Sequence, residues 1–387
     1  MKIAFVTYEY PPFIMGGAGI YAKNITEKLA ELDVEVTVFT PNINGTENNQ
    51  IKNLKVIPLN VNNKIPFKAL QFWLALPRVL KKEHLKNKFD LVHFNGISYW
   101  FWHKKILNIP QVLTVHHITK DVTKHNNLTL NSKSFDINGE NSLLIHSIEK
   151  RAIKNVDKII AVSEFTKNQI IKFYRLNQED IKVIYHGTDE FKKTVRINSE
   201  KFIHENGFSN KKIILFVGRI DDPRKGLEPL IRAFKQVLNE TDAILVVIGS
   251  GDKTKFVELS KKLDISPNIF FMGFVDDNTL HKFYQSCDVY VCPSKLEGFG
   301  LTILEAVING APVIAFKVGA IPEIIQDGKN GLLIDAYDLK QLSQAICRML
   351  NDKDLKDKIK RNNTIYEPRN WIKTAEETEN LYIQLLE

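Results

Sequence analysis

Two successive doubly wound, Rossmann-like units in an α/β architecture are what this sequence predicts, and three observations carry it. Short apolar runs rich in Ile, Val and Phe alternate with amphipathic helical stretches. Most of those runs are apolar on both faces, as parallel strands covered on both sides are. The rhythm lapses in a polar stretch near Thr188–Ser209 and then starts again. The 387 residues suffice for two domains with separate cores, expected over residues 1–190 and 191–368.

The first set of strands is expected at Lys2–Tyr8, Glu35–Thr40, Leu91–Phe94, Val112–His116 and Lys158–Val162, with helices between them at Ala18–Leu32 and Asn141–Ile153. The second set is expected at Ile213–Val217, Ala243–Ile248, Ile269–Met272, Val289–Cys292 and Pro312–Phe316. With right-handed crossovers, ligands bind beyond the carboxyl ends of such strands. Both units are expected to present those ends to a shared central cleft. Thr119–Asn138 is polar with few apolar anchors, which reads either as a functional lid or as disorder. The amphipathic helix Trp371–Leu385 either closes the second unit or returns to the first.

Apolar residues make up 44% and charged residues 25% of the chain, an ordinary globular balance. Cys287, Cys292 and Cys347 are odd in number and lack metal spacing, so a reducing, cytoplasmic setting is expected. Met1-Lys2 leads straight into a strand-like run, so no signal peptide is expected, and no apolar run is long enough to span a bilayer. The formal charge is +8, and Lys64–Lys88 holds seven Lys/Arg (Lys64, Lys68, Arg78, Lys81, Lys82, Lys86, Lys88) against Glu83 alone. Phe67, Leu70, Phe72, Trp73, Leu74 and Leu76 share that segment. It reads either as a core-packed helix with a solvated basic face or as a peripheral contact with an anionic membrane surface, at the inner face of the membrane. A nucleic-acid partner is not expected, and the oligomeric state is unreadable.

The chemistry concentrates in the second unit. In Cys292-Pro293-Ser294-Lys295-Leu296-Glu297-Gly298-Phe299-Gly300-Leu301, a strand ends near Cys292 and a helix starts near Leu301. That places helix-terminal N–H groups at the mouth of the sheet, where an anion is stabilised. Gly298 and Gly300 allow close backbone approach. Glu297 precedes the helix and Glu305 lies just over one turn inside it. A carboxylate beside a phosphate site needs hydrogen-bond donors, and sugar hydroxyls supply them, so Glu305 suits a ribose diol and Glu297 a transferred sugar. The plainer reading is that both acids only favour the positive end of a helix. In Leu215-Phe216-Val217-Gly218-Arg219-Ile220-Asp221-Asp222-Pro223-Arg224-Lys225-Gly226, Arg219 and Lys225 flank a turn between strand and helix, a pairing suited to a diphosphate leaving group or to a solvated cationic turn.

Two weaker signals lie in the first unit. Tyr8–Gly19 carries Tyr10, Gly16, Gly17 and Gly19 before a helix and looks like a phosphate-cradling glycine loop. As a dinucleotide fingerprint it is poor: Pro11 and Pro12 intervene, and the second strand runs into Phe39-Thr40-Pro41 with no acid for a ribose. It fits better as a loop that contacts donor or acceptor. His93, with Asn95 close behind it, and the pair His116-His117 close two strands and are expected at the cleft, although a lone histidine is more often structural. They lack the partner spacing of a zinc site, and no Asp-x-Asp stands at a convincing metal position, so no metal is expected.

Taken in order, Phe216-Val217-Gly218-Arg219 with Lys225-Gly226, Gly249-Ser250-Gly251, Phe271-Met272-Gly273-Phe274-Val275, Asp288–Ser294, Glu297-Gly298-Phe299-Gly300 with Glu305-Ala306, and Gly319–Gly331 resemble the family 4 retaining glycosyltransferases, glycosyl transferases group 1, of GT-B fold. The resemblance covers nearly the whole length. It implies a nucleotide-sugar donor resembling UDP-glucose or GDP-mannose, a sugar or lipid-linked acceptor, no cofactor, no metal, and front-face displacement within a tight ion pair. By resemblance Arg219 and Lys225 hold the diphosphate, Glu305 the ribose and Glu297 the sugar. Gly249, Gly298, Phe299, Gly300 and Leu301 line the donor, and Gly16, Gly17 and Gly19 form a mobile loop. His116 stands beside the anomeric centre, while Ser163 and His186 match positions near the cleft. The family also returns its last helix, here about 369–387, to the first domain. A sugar-nucleotide epimerase and a non-catalytic sugar-nucleotide-binding protein are the alternatives.

Overall fold

The computed structural model describes residues 1–43, 45, 51–62, 68–96, 106–118, 149–188, 197–367 and 369–387. The chain divides into two compact units, Met1–Gly187 with Arg369–Glu387, and Thr188–Pro368.

Unit 1 is built on seven parallel strands: β1 (Lys2–Thr7), β2 (Glu35–Asn42), β3 (Leu54–Asn60), β4 (Leu91–Asn95), β5 (Gln111–Val115), β6 (Lys158–Ala161) and β7 (Ile181–Val183). They lie in the order β3-β2-β1-β4-β5-β6-β7, so the winding reverses between β1 and β4. The central strands β1, β4 and β5 are buried almost throughout, because helices cover both faces of a parallel sheet. The helices are α1 (Gly17–Glu31), α2 (Lys68–Asn87) and α3 (Glu164–Tyr174). Residues 149–154 are also helical. The last helix of the chain, α12 (Trp371–Leu386), packs on α1.

The described part of the basic segment packs one face on the core. Helix α2 sends Phe72, Trp73, Leu76 and Leu80 into the same apolar cluster as Val92, Phe94 and Leu113. Of the apolar side chains that suggested a membrane surface, Phe72, Trp73 and Leu76 face the sheet, while Arg78, Lys81, Lys82 and Lys86 are solvated with Leu74 and Leu85. Lys64 and Phe67 lie outside the described residues, as do Thr119–Asn138 and most of the expected Asn141–Ile153 helix. Among the described residues no helix is long and apolar enough to cross a membrane.

Unit 2 has six parallel strands: β8 (Lys212–Val217), β9 (Ala243–Ile248), β10 (Ile269–Gly273), β11 (Val289–Cys292), β12 (Val313–Phe316) and β13 (Leu332–Ile334). Their order, β10-β9-β8-β11-β12-β13, is that of a dinucleotide-binding sheet, with its switch point between β8 and β11. Its helices are α4 (Ser199–Glu205), α5 (Leu227–Val237), α6 (Thr254–Lys262), α7 (Asp277–Ser286), α8 (Leu301–Ile308), α9 (Ile321–Ile324), α10 (Leu339–Asn351) and α11 (Lys353–Thr364). Leu230, Phe234, Leu342 and Ile346 from α5 and α10 meet Ile214, Leu245 and Ile314 in its core.

Candidate active site

The two motifs of unit 2 leave adjacent strands at the switch point. Gly218-Arg219 follows β8, and Pro293–Glu297 follows β11. Three contacts lock them together. Gly226 has φ +74°, and a Cβ there would lie 2.0 Å from the Pro293 carbonyl oxygen, so only glycine lets the turns touch. The Lys295 amide donates to the Arg224 carbonyl at 2.7 Å. The Lys225 ammonium donates to Glu297 Oε1, also at 2.7 Å.

The cations of this turn are held by acids. Asp222 caps the short 3-10 turn Pro223–Lys225 by accepting from the Arg224 amide, and takes the Arg224 guanidinium through Nε and Nη2. Arg219 reaches Asp222 at 3.3 Å and Asp221 at 3.4 Å. Burial alone would raise the Asp222 carboxyl, but the Arg224 fork outweighs it and holds its pKa at about 2. Burial likewise pulls the Lys225 ammonium down, and the adjacent Glu297 more than offsets this, so Lys225 is held charged. Asp222 and Arg224 were not singled out from the sequence; the signal was there in the Asp-Pro-Arg-Lys string, since Asp before Pro is a capping pair.

Glu297 is itself clasped from behind. Its carbonyl accepts from the Ala320 amide, and a Cβ on Gly319, at φ +56°, would lie 2.1 Å from that oxygen. Gly300, at φ +101°, is the N-cap of α8 and has no side chain to occupy the first amides. Glu305 is half-buried on α8 and accepts from the Tyr284 hydroxyl at 3.3 Å. Phe299 is buried, Gly298 and Leu301 half-buried. Beyond β8, β9 and β10 lies a cavity of about 390 Å³, lined by Ile220, Gly249, Gly251, Lys253, Phe271 and Gly273 among others.

In unit 1 the expected residues Asn95 and His116 come together, with Thr7, which the sequence did not single out, beside Asn95. Thr7, Asn95 and His116 stand at the carboxyl ends of β1, β4 and β5, and His116 Nε2 lies 2.7 Å from Asn95 Oδ1. The others are placed elsewhere in the unit. His93 lies within β4 rather than at its end, is wholly buried, and pairs with Tyr382 of α12 and with Thr114 at 2.7 Å. Tyr10 is buried against Thr26 of α1 at 2.9 Å. Ser163 is the N-cap of α3, accepting from the Thr166 amide at 3.1 Å. His186 is buried, stacked on Tyr21 at 5.0 Å and set against Trp371. His117 is exposed. In the glycine loop, Glu9 Oε2 accepts from the Met15 and Gly16 amides at 2.9 Å each. An internal carboxylate therefore occupies the amides that a phosphate cradle would offer, and Gly16 is the N-cap of α1 with Gly17 and Gly19 in its first turn.

Residues 15–190 match the family described as Glycosyltransferase Family 4, and residues 198–365 match glycosyl transferases group 1. An uncharacterized glycosyltransferase of Methanocaldococcus jannaschii is 31% identical, over 99% of this chain and 98% of its own. Among solved structures, a sucrose-phosphate synthase from Thermosynechococcus elongatus superposes with a TM-score of 0.82 at 23% identity, covering 99% and 98% of the two chains. An Anabaena protein in complex with UDP and glucose gives 0.77 at 20%, covering 99% and 100%. The chain belongs to family 4 of the glycosyltransferases and is a glycosyltransferase of GT-B type.

Proposed function

We propose that this glycosyltransferase is retaining and metal-independent, and that it moves a hexose from a UDP-glucose- or GDP-mannose-like donor to a hydroxyl of a sugar or lipid-linked acceptor. The observation that carries this reading is the pairing of Lys225 with Glu297 at the switch point of unit 2, beside Arg219 and Arg224 held on Asp222. Fixed cations beside a helix N-terminus lower the cost of charge developing on a departing diphosphate. Glu305 takes the ribose diol, and Glu297 takes hydroxyls of the sugar while keeping Lys225 in place. The cavity beyond β8–β10 takes the nucleobase, with backbone from Gly249 and Gly251 against it. The Anabaena neighbour, whose structure contains UDP and glucose, supports a uridine donor.

In this reading the C1–O bond to the diphosphate breaks, and the acceptor oxygen bonds to C1 on the same face. The acceptor proton passes to a phosphate oxygen. No side chain is a covalent nucleophile, and Arg219 and Lys225 replace a metal as the counter-charge. His116 is read as a contact to the sugar, and Gly16, Gly17 and Gly19 as a loop that contacts donor or acceptor.

The test is a screen for UDP, GDP or ADP release from a panel of sugar nucleotides and acceptors, with the anomeric configuration of the product read by NMR. Retained configuration in the presence of EDTA is expected. Inverted product, or turnover unchanged in Arg219→Ala and Lys225→Ala, would overturn the reading.

A further inference from the structure

Unit 1 contains a run of hydrogen bonds whose direction is set at two places by backbone carbonyls. A carbonyl oxygen can only accept. Asn95 Nδ2 lies 3.0 Å from the Ala18 carbonyl, so the amide nitrogen, not the amide oxygen, faces α1. The same nitrogen lies 3.1 Å from Thr7 Oγ1. Thr7 Oγ1 in turn is 2.9 Å from the Glu9 carbonyl, to which it must give its one hydrogen, so it accepts from Asn95. Both constraints turn Asn95 the same way. Its Oδ1 is left to face His116 Nε2 at 2.7 Å, and an amide oxygen can only accept. The proton of that contact belongs to His116 Nε2.

We propose that Asn95 is a positioning residue for the transfer reaction: it holds His116 as the Nε2–H tautomer, so that the ring offers a lone pair on Nδ1 to a hydroxyl of the substrate. Among the described residues Nδ1 has no hydrogen-bond partner, and His116 is largely but not fully buried. Its orientation is fixed by an edge contact with Tyr21 at 5.2 Å and one with His186 at 5.4 Å. Burial pulls the imidazole pKa down to about 4, so the ring is neutral near pH 7 and the Nδ1 lone pair is present. A neutral acceptor of this kind suits a sugar hydroxyl and disfavours a carboxylate, as a uronic acid would bring. The two carbonyls that set the direction, Glu9 and Ala18, stand at the two ends of the glycine loop. Holding the tautomer therefore depends on that loop keeping its place.

This inference rests on reading His116 as a substrate contact, and its test separates the two. In the full chain labelled with 15N-histidine, long-range 1H–15N spectra report the tautomer of each ring. The His116 signals are assigned by their loss in His116→Gln. A pyrrole-type Nε2 and a pyridine-type Nδ1 are expected, and the reverse pattern overturns the proposal. Asn95→Asp keeps the acceptor for Nε2–H and is expected to keep the pattern. Asn95→Leu removes the acceptor and is expected to give averaged signals, with kcat down by about 10-fold or more and the KM for donor little changed. An Asn95→Leu spectrum identical to wild type, or equal loss of kcat in both variants, would show a structural role only. The spectra need no turnover, so a failed donor screen leaves the tautomer result standing, and a wrong tautomer leaves the donor reading standing.

Discussion

Lys225 and Glu297 are 72 residues apart in the chain, and their charged ends are 2.7 Å apart in the fold. The contact joins a turn after β8 to a loop after β11, and the two together make one charge-balanced cluster from two motifs. Lys225→Ala leaves a largely buried carboxylate without its cation, which should cost about 2 kcal/mol or more of stability. It should lower kcat/KM for a nucleotide sugar by about 100-fold or more. The double variant Lys225→Met, Glu297→Gln should regain most of the stability and none of the activity. Urea unfolding and nucleotide release measure the two effects separately, and a double variant as unstable as the single would refute the pairing.

Asp222 gives unit 2 a dependence on acid. Its pKa is lowered from 3.8 to about 2 in the folded state, so it adds stability above pH 3.8 that is lost as pH falls towards 2. The shift corresponds to about 2 kcal/mol. Asp222→Asn should therefore be less stable than wild type by about that amount at pH 7, with the gap closing near pH 2. A gap that does not change with pH would rule out the ion pairs as its source.

Unit 1 also loses stability in acid, but through buried neutral histidines rather than an ion pair. His93 and His116 have pKa values lowered to about 3 and about 4, and His186 is lowered too, in each case chiefly by burial. The unfolded chain takes up protons near pH 6.5 while the folded unit does not. Stability should thus be full above that pH and fall below it, by up to about 1.4 kcal/mol per pH unit for each histidine. Urea midpoints measured from pH 7 to 5 should show this slope, and His93→Gln should lessen it by one proton's share.

Gly187 bears directly on Trp371: a Cβ there would lie 2.3 Å from the Trp371 nitrogen. Gly187→Ala should cost about 1–3 kcal/mol and loosen α12, seen as faster proteolysis near Arg369. Gly16→Ala is the control, since an added methyl there meets nothing within 4 Å. It should change stability by less than about 0.5 kcal/mol.

The central strands were legible because each is buried on both faces and so reads as an unbroken apolar run. The strands the sequence did not reveal, β3, β7 and β13, are all sheet edges. Leu54–Asn60 includes Pro58, tolerated where one side of a strand needs no partner, and the other two have three residues each. At the site, Arg219, Lys225, Glu297 and Glu305 stood out because strand–turn–helix punctuation places them at strand ends. His93 misled for a related reason: one residue of register separates a strand's interior from its end, and β4 runs on to Asn95. The pairing of Glu9 with the Met15 and Gly16 amides had no signal at all, since a carboxylate beside a glycine loop reads equally well as a ligand contact.

The chain leaves unit 1 at Gly187 and re-enters it at Arg369, so unit 2 is a single uninterrupted insertion. During synthesis all of residues 188–368 emerge before α12 does. Unit 2 has every strand and helix of its core in hand at that moment, while His93 still lacks Tyr382 and Tyr21 still lacks Trp371. The order of birth therefore favours completing the inserted unit first, with the enclosing one sealed only when the final helix is released from the ribosome.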